Sequence, residues 1–207
     1  MSSLRQVALL GGSFDPVHLG HMALAQSALA QLPVDELWWI PTGQPWQKSR
    51  VLTPAEHRVA MIRLAIGRDT RQRVETCEIE REGPTYTIDT LETLTRRHPA
   101  VVWHWLMGWA QFLNLPTRRR GREVAARVRL AVVQRPGADL GAAGGSAGWV
   151  MMPEDLRQLP LQTLHMAPWN LSSTAIRDDV AHGRSVLDRV CAPVARYIAD
   201  HGLYRAA

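Results

Sequence analysis

Short apolar runs alternate along this chain with stretches of helical period, and that alternation constrains the fold more than any other feature. Val7 to Leu10 is apolar and stops at Gly11-Gly12, and the stretch from Leu19 to Leu32 reads as a helix. Glu36 to Ile40 (ELWWI) is a second strand candidate, closed by Pro41. Pro54 to Ile66 has helical periodicity, with Val59, Ile62, Leu64 and Ile66 apolar. A third strand is expected around Arg73 to Ile79, and a helix over Thr87 to Arg97. Two further strands are expected, over Val101 to Met107 and over Leu130 to Val133, the last ended by Arg135-Pro136-Gly137. A helical pair, Ser173 to His182 and Pro193 to His201, follows. Strands and helices in this order predict an α/β chain with a mostly parallel sheet and helices on both faces. Such sheets take ligands at the carboxyl ends of their strands, beside the point where strand order reverses. Residues 136–148 (PGADLGAAGGSAG) carry little that can pack and read as a surface connection within one domain spanning 1–207.

Composition narrows the functional classes. A chain of 207 residues, 46% hydrophobic and 21% charged, can bury a sizeable core. No run approaches the roughly 18 apolar residues of a membrane span, and MSSLRQVALLGG reads as a strand entry rather than a leader. The two cysteines, Cys77 and Cys191, lack metal-site spacing and are expected as reduced thiols in a cytoplasmic protein. The net charge of +5 suits an anionic ligand, and Lys48 is the sole lysine.

The segment GGSFDPVHLGH, Gly11 to His21, is the most informative. Glycines directly after a strand let the backbone approach a ligand closely. His18 and His21, three apart, fall on one face of a helical turn. A helix start with unpaired N–H groups is where a phosphate is best held, and two imidazoles there can stabilise phosphoryl charge. Read from chemistry alone, a turn with structural histidines or a metal pair also fits, although no third metal ligand stands at a recognisable spacing. Near the other end, NLSSTAIR (Asn170 to Arg177) places three hydroxyls at a helix start. One would serve as the cap; Arg177, one turn along, can reach the same anion with its planar fork. Alone, this segment is equally an ordinary capped helix with a surface arginine.

Together the two segments resemble the paired signatures, GxFDPxHxGH and SSTxIR, of the HxGH nucleotidyltransferase superfamily. The resemblance implies a Rossmann-like doubly wound fold with C-terminal helices, and ATP phosphates contacted by Gly11, Gly12, Ser13, Phe14, His18, His21, Ser173, Thr174 and Arg177. Between these signatures the chain is similar to bacterial nicotinate-mononucleotide adenylyltransferases over nearly its full length. PTGQPWQKS (Pro41 to Ser49) resembles their loop after the second strand, with Lys48 at the basic position. GPTYTIDTL (Gly83 to Leu91) resembles their [SP]YTxxTL segment, so Thr85, Tyr86 and Thr87 inherit contact with the pyridine carboxylate. The implied reaction joins a pyridine mononucleotide to the AMP part of ATP, with Mg²⁺ carried on the nucleotide and no protein metal site.

The chain departs from that pattern twice. Where the family has GxD, with an aspartate on ribose hydroxyls, this sequence has Gly108, Trp109 and Ala110. Where the family has a tryptophan stacking on the pyridine, PTRRRGRE places Arg118, followed by Arg119 and Arg120. Both changes fall at expected substrate positions, which leaves altered substrate choice or a weakly catalytic nucleotide-binding protein as alternatives. The basic run Arg118 to Arg122 also admits nucleic-acid binding, a weaker reading than a solvated helix start. Acid against amide on the pyridine, and a homo-oligomeric state, are left open.

Overall fold

The computed structural model describes residues 4–45, 51–133, 153–167 and 169–205. Six strands form one sheet: β1 (Arg5–Gly12), β2 (Glu36–Pro41), β4 (Gln72–Val74), β6 (Val101–Gly108), β7 (Arg129–Val133) and β8 (Leu161–Leu164). Two short strands, β3 (Gln44–Pro45) and β5 (Pro84–Thr85), pair separately. The large sheet has the order β4-β2-β1-β6-β7-β8, and all its pairings are parallel. The order runs outward from β1 in both directions, so it reverses between β1 and β6. That is the doubly wound Rossmann-like arrangement, with its crevice at the carboxyl ends of those two strands.

Strand composition explains why both faces are covered. Val7, Ala8, Leu9 and Leu10 are all buried, as are Leu37, Trp38, Trp39 and Ile40. Such unbroken apolar runs belong to strands packed on both sides. One face, with Leu9, Trp38, Trp105 and Leu130, packs Ile88, Leu91 and Leu94 of α3 (Thr87–Arg97), Phe112 of α4 (Trp109–Leu113) and Val124 of α5 (Gly121–Arg127). The other face, with Leu10, Trp39, Leu106 and Ala131, packs α1 (Leu19–Gln31) and α2 (Ala55–Ile66). It also packs the two C-terminal helices, α7 (Ser173–Ala181) and α8 (Ala192–Asp200); α6 (Glu154–Arg157) is a single turn. Trp38 and Trp39 are fully buried, each removing roughly 4–6 kcal/mol worth of apolar area from water before entropy costs.

The five expected helices match the observed ones within a residue; α4, α5, α6 and the short β3 and β5 are not among the expected elements, and two further strand expectations need correction. The third strand stops at Val74; Ile79 and Glu80 donate backbone N–H to the Thr76 carbonyl, so residues 76–80 form a turn. The apolar Cys77 and Ile79 suggested continued strand, whereas the turn buries Cys77 and Glu78 together. Strand β8 has no counterpart in the expected set: LQTL buries only Leu164, and pairing with β7 makes it a strand. Both cysteines are free, and burial, with Glu75 and Glu78 adding to it, pushes the Cys77 thiol up to about 12. Among the described residues, no helix is long and apolar enough to cross a membrane. Residues 136–148 and Lys48 lie outside the described residues.

Candidate active site

A cavity of about 1060 Å³ opens at the carboxyl ends of β1 and β6, where the strand order reverses. Its floor is Leu10 to Ser13 from β1 and Trp105 to Ala110 from β6 and the start of α4. One wall carries His18, Gly20, His21 and Leu24 of α1; the opposite wall carries Glu78, Thr85, Tyr86, Thr87, Arg118 and Arg119. Met166, Trp169, Asn170 and Leu171 close a third side.

At the α1 wall, His18 sits at the N-cap with extended backbone, and the helix begins at Leu19. The His18 and His21 rings stack with centroids 3.7 Å apart and planes 23° from parallel. The His18 backbone N–H donates to His21 Nδ1 at 3.3 Å, which fixes one ring against the other. His18 is 9% exposed, and its Nδ1 has no hydrogen-bond partner among the described residues. Burial lowers the His18 imidazole to about 4, so it is neutral at pH 7. Gly20 leaves room here: a Cβ would lie 3.2 Å from the His18 ring, close enough that the ring would have to shift. Gly12 has a similar constraint, since a Cβ there would meet the Phe14 ring at 3.0 Å. The glycines after β1 therefore make room for aromatic packing as well as exposing backbone.

The loop between β1 and α1 is braced from distant parts of the chain. Buried Arg58 donates to three carbonyls: Nη1 to Thr42 at 2.8 Å and Ser13 at 3.0 Å, and Nε to Thr53 at 2.9 Å. The fully buried Asp15 carboxylate accepts from the Tyr204 hydroxyl at 2.7 Å and from Thr53 N–H at 3.3 Å. Burial and the Asp15 charge raise the Tyr204 phenol well above its ordinary value, keeping it a donor. Phe14 has φ 47°, a left-handed conformation that costs energy for a non-glycine, and its ring packs on His21 and Trp39 at 5.0 and 5.2 Å.

The second signature touches this loop from behind. Ser172 caps α7, accepting from Ala175 N–H at 3.1 Å. Ser173 donates its hydroxyl to the Pro16 carbonyl at 2.9 Å. Arg177 donates to the Asp15 carbonyl at 2.7 Å and to Thr174 Oγ1 at 3.2 Å. Hence Ser173, Thr174, Arg177 and Phe14 adjoin the loop without lining the cavity itself. Gly11, Gly12, Ser13, His18, His21, Thr85, Tyr86, Thr87, Gly108, Trp109, Ala110, Arg118 and Arg119 are all brought to the cavity.

At the opposite wall, Thr85 Oγ1 accepts from Gln44 N–H at 3.2 Å, tying β5 to β3. Arg118 donates from Nη1 to Thr87 Oγ1 at 3.4 Å. Burial lowers the Arg118 guanidinium below its ordinary value. The Arg119 guanidinium lies 4.6 Å above the Tyr86 ring. The next arginines turn away: Arg120 pairs with Glu92 at 2.9 Å and Glu123 at 2.6 Å, and Arg122 pairs with Asp155 at 2.5 Å. Trp109 packs in the core against Phe112, while Ala110 is exposed at the cavity with Gln111 beside it.

Sequence reading missed Glu78, Trp105, Gln111 and Trp169. Glu78 is 6% exposed and accepts from the Thr90 hydroxyl at 2.7 Å. Burial raises its carboxyl to about 7, against the lowering effect of Thr90 and Arg81. A carboxylate in an expected strand gave no signal, because only the turn at residues 76–80 directs it inward. No cluster of three or more His, Cys, Asp or Glu side chains suited to a metal ion occurs among the described residues.

Comparison with known proteins agrees with this geometry. The cytidylyltransferase-like family model matches residues 9–179. A Bordetella petrii protein named "Probable nicotinate-nucleotide adenylyltransferase" is 43% identical, covering 98% of this chain and 100% of that protein. A Methylibium petroleiphilum protein of the same name is 41% identical, covering 98% of this chain and 94% of that protein. Among solved structures, Plasmodium falciparum nicotinic acid mononucleotide adenylyltransferase complexed with NaAD shares the fold, with TM-score 0.75 and 18% identity over 97% of each chain. By matched length, by identity and by the fold that carries the cavity, this chain belongs to the cytidylyltransferase-like nucleotidyltransferases and, within them, to the nicotinate-nucleotide adenylyltransferase family.

Proposed function

We propose that the chain transfers the adenylyl group of ATP to nicotinate mononucleotide, giving nicotinate adenine dinucleotide and pyrophosphate, a step of NAD biosynthesis. A phosphate oxygen of the mononucleotide forms a bond to the α-phosphorus of ATP, and the bond from that phosphorus to the β-bridging oxygen breaks. The electron pair leaves with pyrophosphate, so no covalent enzyme intermediate is needed. Such a reaction depends on holding the two phosphates in line and on meeting the charge that develops.

The observation that carries this reading is the stacked His18 and His21 pair, with His18 neutral, at the cavity wall beside Gly11 to Ser13. A neutral imidazole binds triphosphate without a preformed ion pair, and gains proton affinity as phosphoryl charge builds against it. Ser173, Thr174 and Arg177 adjoin the Asp15-Pro16 carbonyls, and in this reading they meet the β- and γ-phosphates by modest side-chain rotation. Lys48 is the proposed further phosphate contact. Thr85, Tyr86 and Thr87, which line the cavity, are the proposed contacts to the acceptor's pyridine carboxylate, and Gln111 beside Ala110 is the proposed contact to the ribose hydroxyls.

Mg²⁺ is proposed to arrive on the nucleotide. The donor set fits that: the α1 wall presents imidazoles and backbone rather than carboxylates, and Asp15 is committed to Tyr204 and Thr53. The ion's contribution is to neutralise phosphate charge. The compartment proposed is the cytoplasm, where free thiols such as Cys77 and Cys191 persist.

The test is pyrophosphate release from ATP and Mg²⁺ with nicotinate mononucleotide, nicotinamide mononucleotide or no acceptor. Acceptor-dependent release with formation of the dinucleotide is expected. ATP binding without acceptor-dependent release would leave a nucleotide-binding protein instead.

A further inference from the structure

Four of the five residues from Arg118 to Arg122 are arginines, and their partners divide them. Arg120 and Arg122 are each paired with carboxylates on neighbouring elements. Arg118 is half-buried in the cavity wall, and its one hydrogen bond to a described side chain is the 3.4 Å contact with the neutral Thr87 hydroxyl. A guanidinium withdrawn from water keeps its charge, so leaving it without a counter-ion costs stability that folding alone does not recover. A ligand anion would supply the missing partner, and the planar fork matches a carboxylate in two parallel hydrogen bonds. The carboxylate facing the same cavity, Glu78, does not fill that place: it is bonded to Thr90, with Arg81 as the cation acting on it.

Resting on the reading that a pyridine mononucleotide is the acceptor, we infer that Arg118 is a specificity-determining residue that pairs with the pyridine carboxylate and selects the acid over the amide. Thr87 holds the guanidinium in the plane that receives the carboxylate, and Arg119, lodged on Tyr86, fixes the neighbouring wall. In this arrangement Arg118 acts edge-on through charge, rather than by stacking on the ring as a tryptophan would. An amide presented to the same site offers one neutral oxygen, and its NH₂ faces a second donor.

The test compares kcat/KM for nicotinate mononucleotide and nicotinamide mononucleotide in wild type, Arg118→Gln and Arg118→Lys. The acid-to-amide ratio is expected to fall by about 10- to 100-fold in Arg118→Gln, the range of a charge-assisted hydrogen bond. Arg118→Lys, which keeps the charge but loses the planar fork, should retain only part of the preference. A ratio unchanged in Arg118→Gln, with both substrates falling together, would overturn the assignment and leave Arg118 as a wall of the cavity. If wild type turns over neither substrate, the functional reading fails separately. Calorimetric titration with the two mononucleotides then decides Arg118: equal wild-type affinities overturn its role, and a preference for the acid lost in Arg118→Gln supports it.

Discussion

The two ends of the cavity are held in different ways. At the phosphate end, the loop between β1 and α1 receives hydrogen bonds from Arg58 on α2, from Ser173 and Arg177 on α7, and from Tyr204 beyond α8. Asp15 in the loop is fully buried and Arg58 beside it is 2% exposed, while Ser173, Arg177 and Tyr204 are partly exposed. At the pyridine end, the wall residues rest on longer contacts, 3.2 Å for Thr85 and 3.4 Å for Arg118, and on the Arg119–Tyr86 stack. Preorganised dipoles and donors at the phosphate end give large electrostatic returns only if they do not relax during reaction. The end proposed to hold the acceptor needs shape and, with Arg118 in the inferred role, one well-placed charge. Residues there can change, as Ala110 and Arg118 do relative to the family pattern, without disturbing the braced loop.

The largest effect is expected at the phosphate end. His18→Ala should lower kcat by about 10²- to 10³-fold, the usual scale for losing one preorganised charge-stabilising group. Its melting temperature should stay near wild type, because His18 Nδ1 is unpartnered among the described residues. Turnover within about threefold of wild type would remove His18 from the chemistry.

Stability should separate the ends next. Arg58→Met removes the donor from three carbonyls and is expected to cost about 3 kcal/mol, a fall in Tm of roughly 6–12 °C for a chain of this size. Arg118→Gln should change stability by less than about 1 kcal/mol, since the long contact it gives up is offset by relief of a half-buried charge unpaired among the described residues. Thermal unfolding of both variants decides; a larger loss in Arg118→Gln would reverse the contrast between a braced and a permissive end.

The smallest expected effect, per pH unit, concerns two buried titratable groups that line the cavity, His18 and Glu78. His18 binds a proton near 6.5 when unfolded and near 4 when folded, so through that interval the unfolded chain holds more protons and stability rises with pH. Glu78 is the opposite case, near 4.5 unfolded and 7 folded, so the folded protein holds the extra proton and stability falls as pH rises between them. Each slope is about 1.4 kcal/mol per pH unit and they oppose between pH 4.5 and 6.5. Glu78→Gln should therefore expose a rising dependence in that window, and His18→Ala a falling one, in denaturant titrations at several pH values. Parallel curves for wild type and both variants would show that neither group titrates between its folded and unfolded values.

Much of the architecture was legible because it is written in short windows. The Val7–Leu10 and Glu36–Ile40 runs are apolar on both faces, and the periods of α1, α2 and α3 fall within a residue of the observed helices. Ser172 caps α7 as its residue type demands. The misses have a common cause: LQTL is too short and too polar to announce β8, and nothing local marks the end of β4 at Val74. For the same reason Glu78 gives no local signal within the expected strand, and only the turn at 76–80 carries it into the cavity.

What the sequence by itself determined is the alternating α/β order, the position of both signature segments and the chemistry of their side chains. These follow from propensity, caps and residue types, which act over a few positions. Only the tertiary structure decided which groups meet. Tyr204 finds Asp15 across 189 positions and Arg177 finds the same residue across 162. It also divided the arginine run, sending Arg120 and Arg122 to carboxylates and leaving Arg118 to the cavity. The physical reason is that a buried polar group takes whichever partner packing brings within about 3 Å, and that choice is made by the whole sheet and its helices rather than by neighbours along the chain.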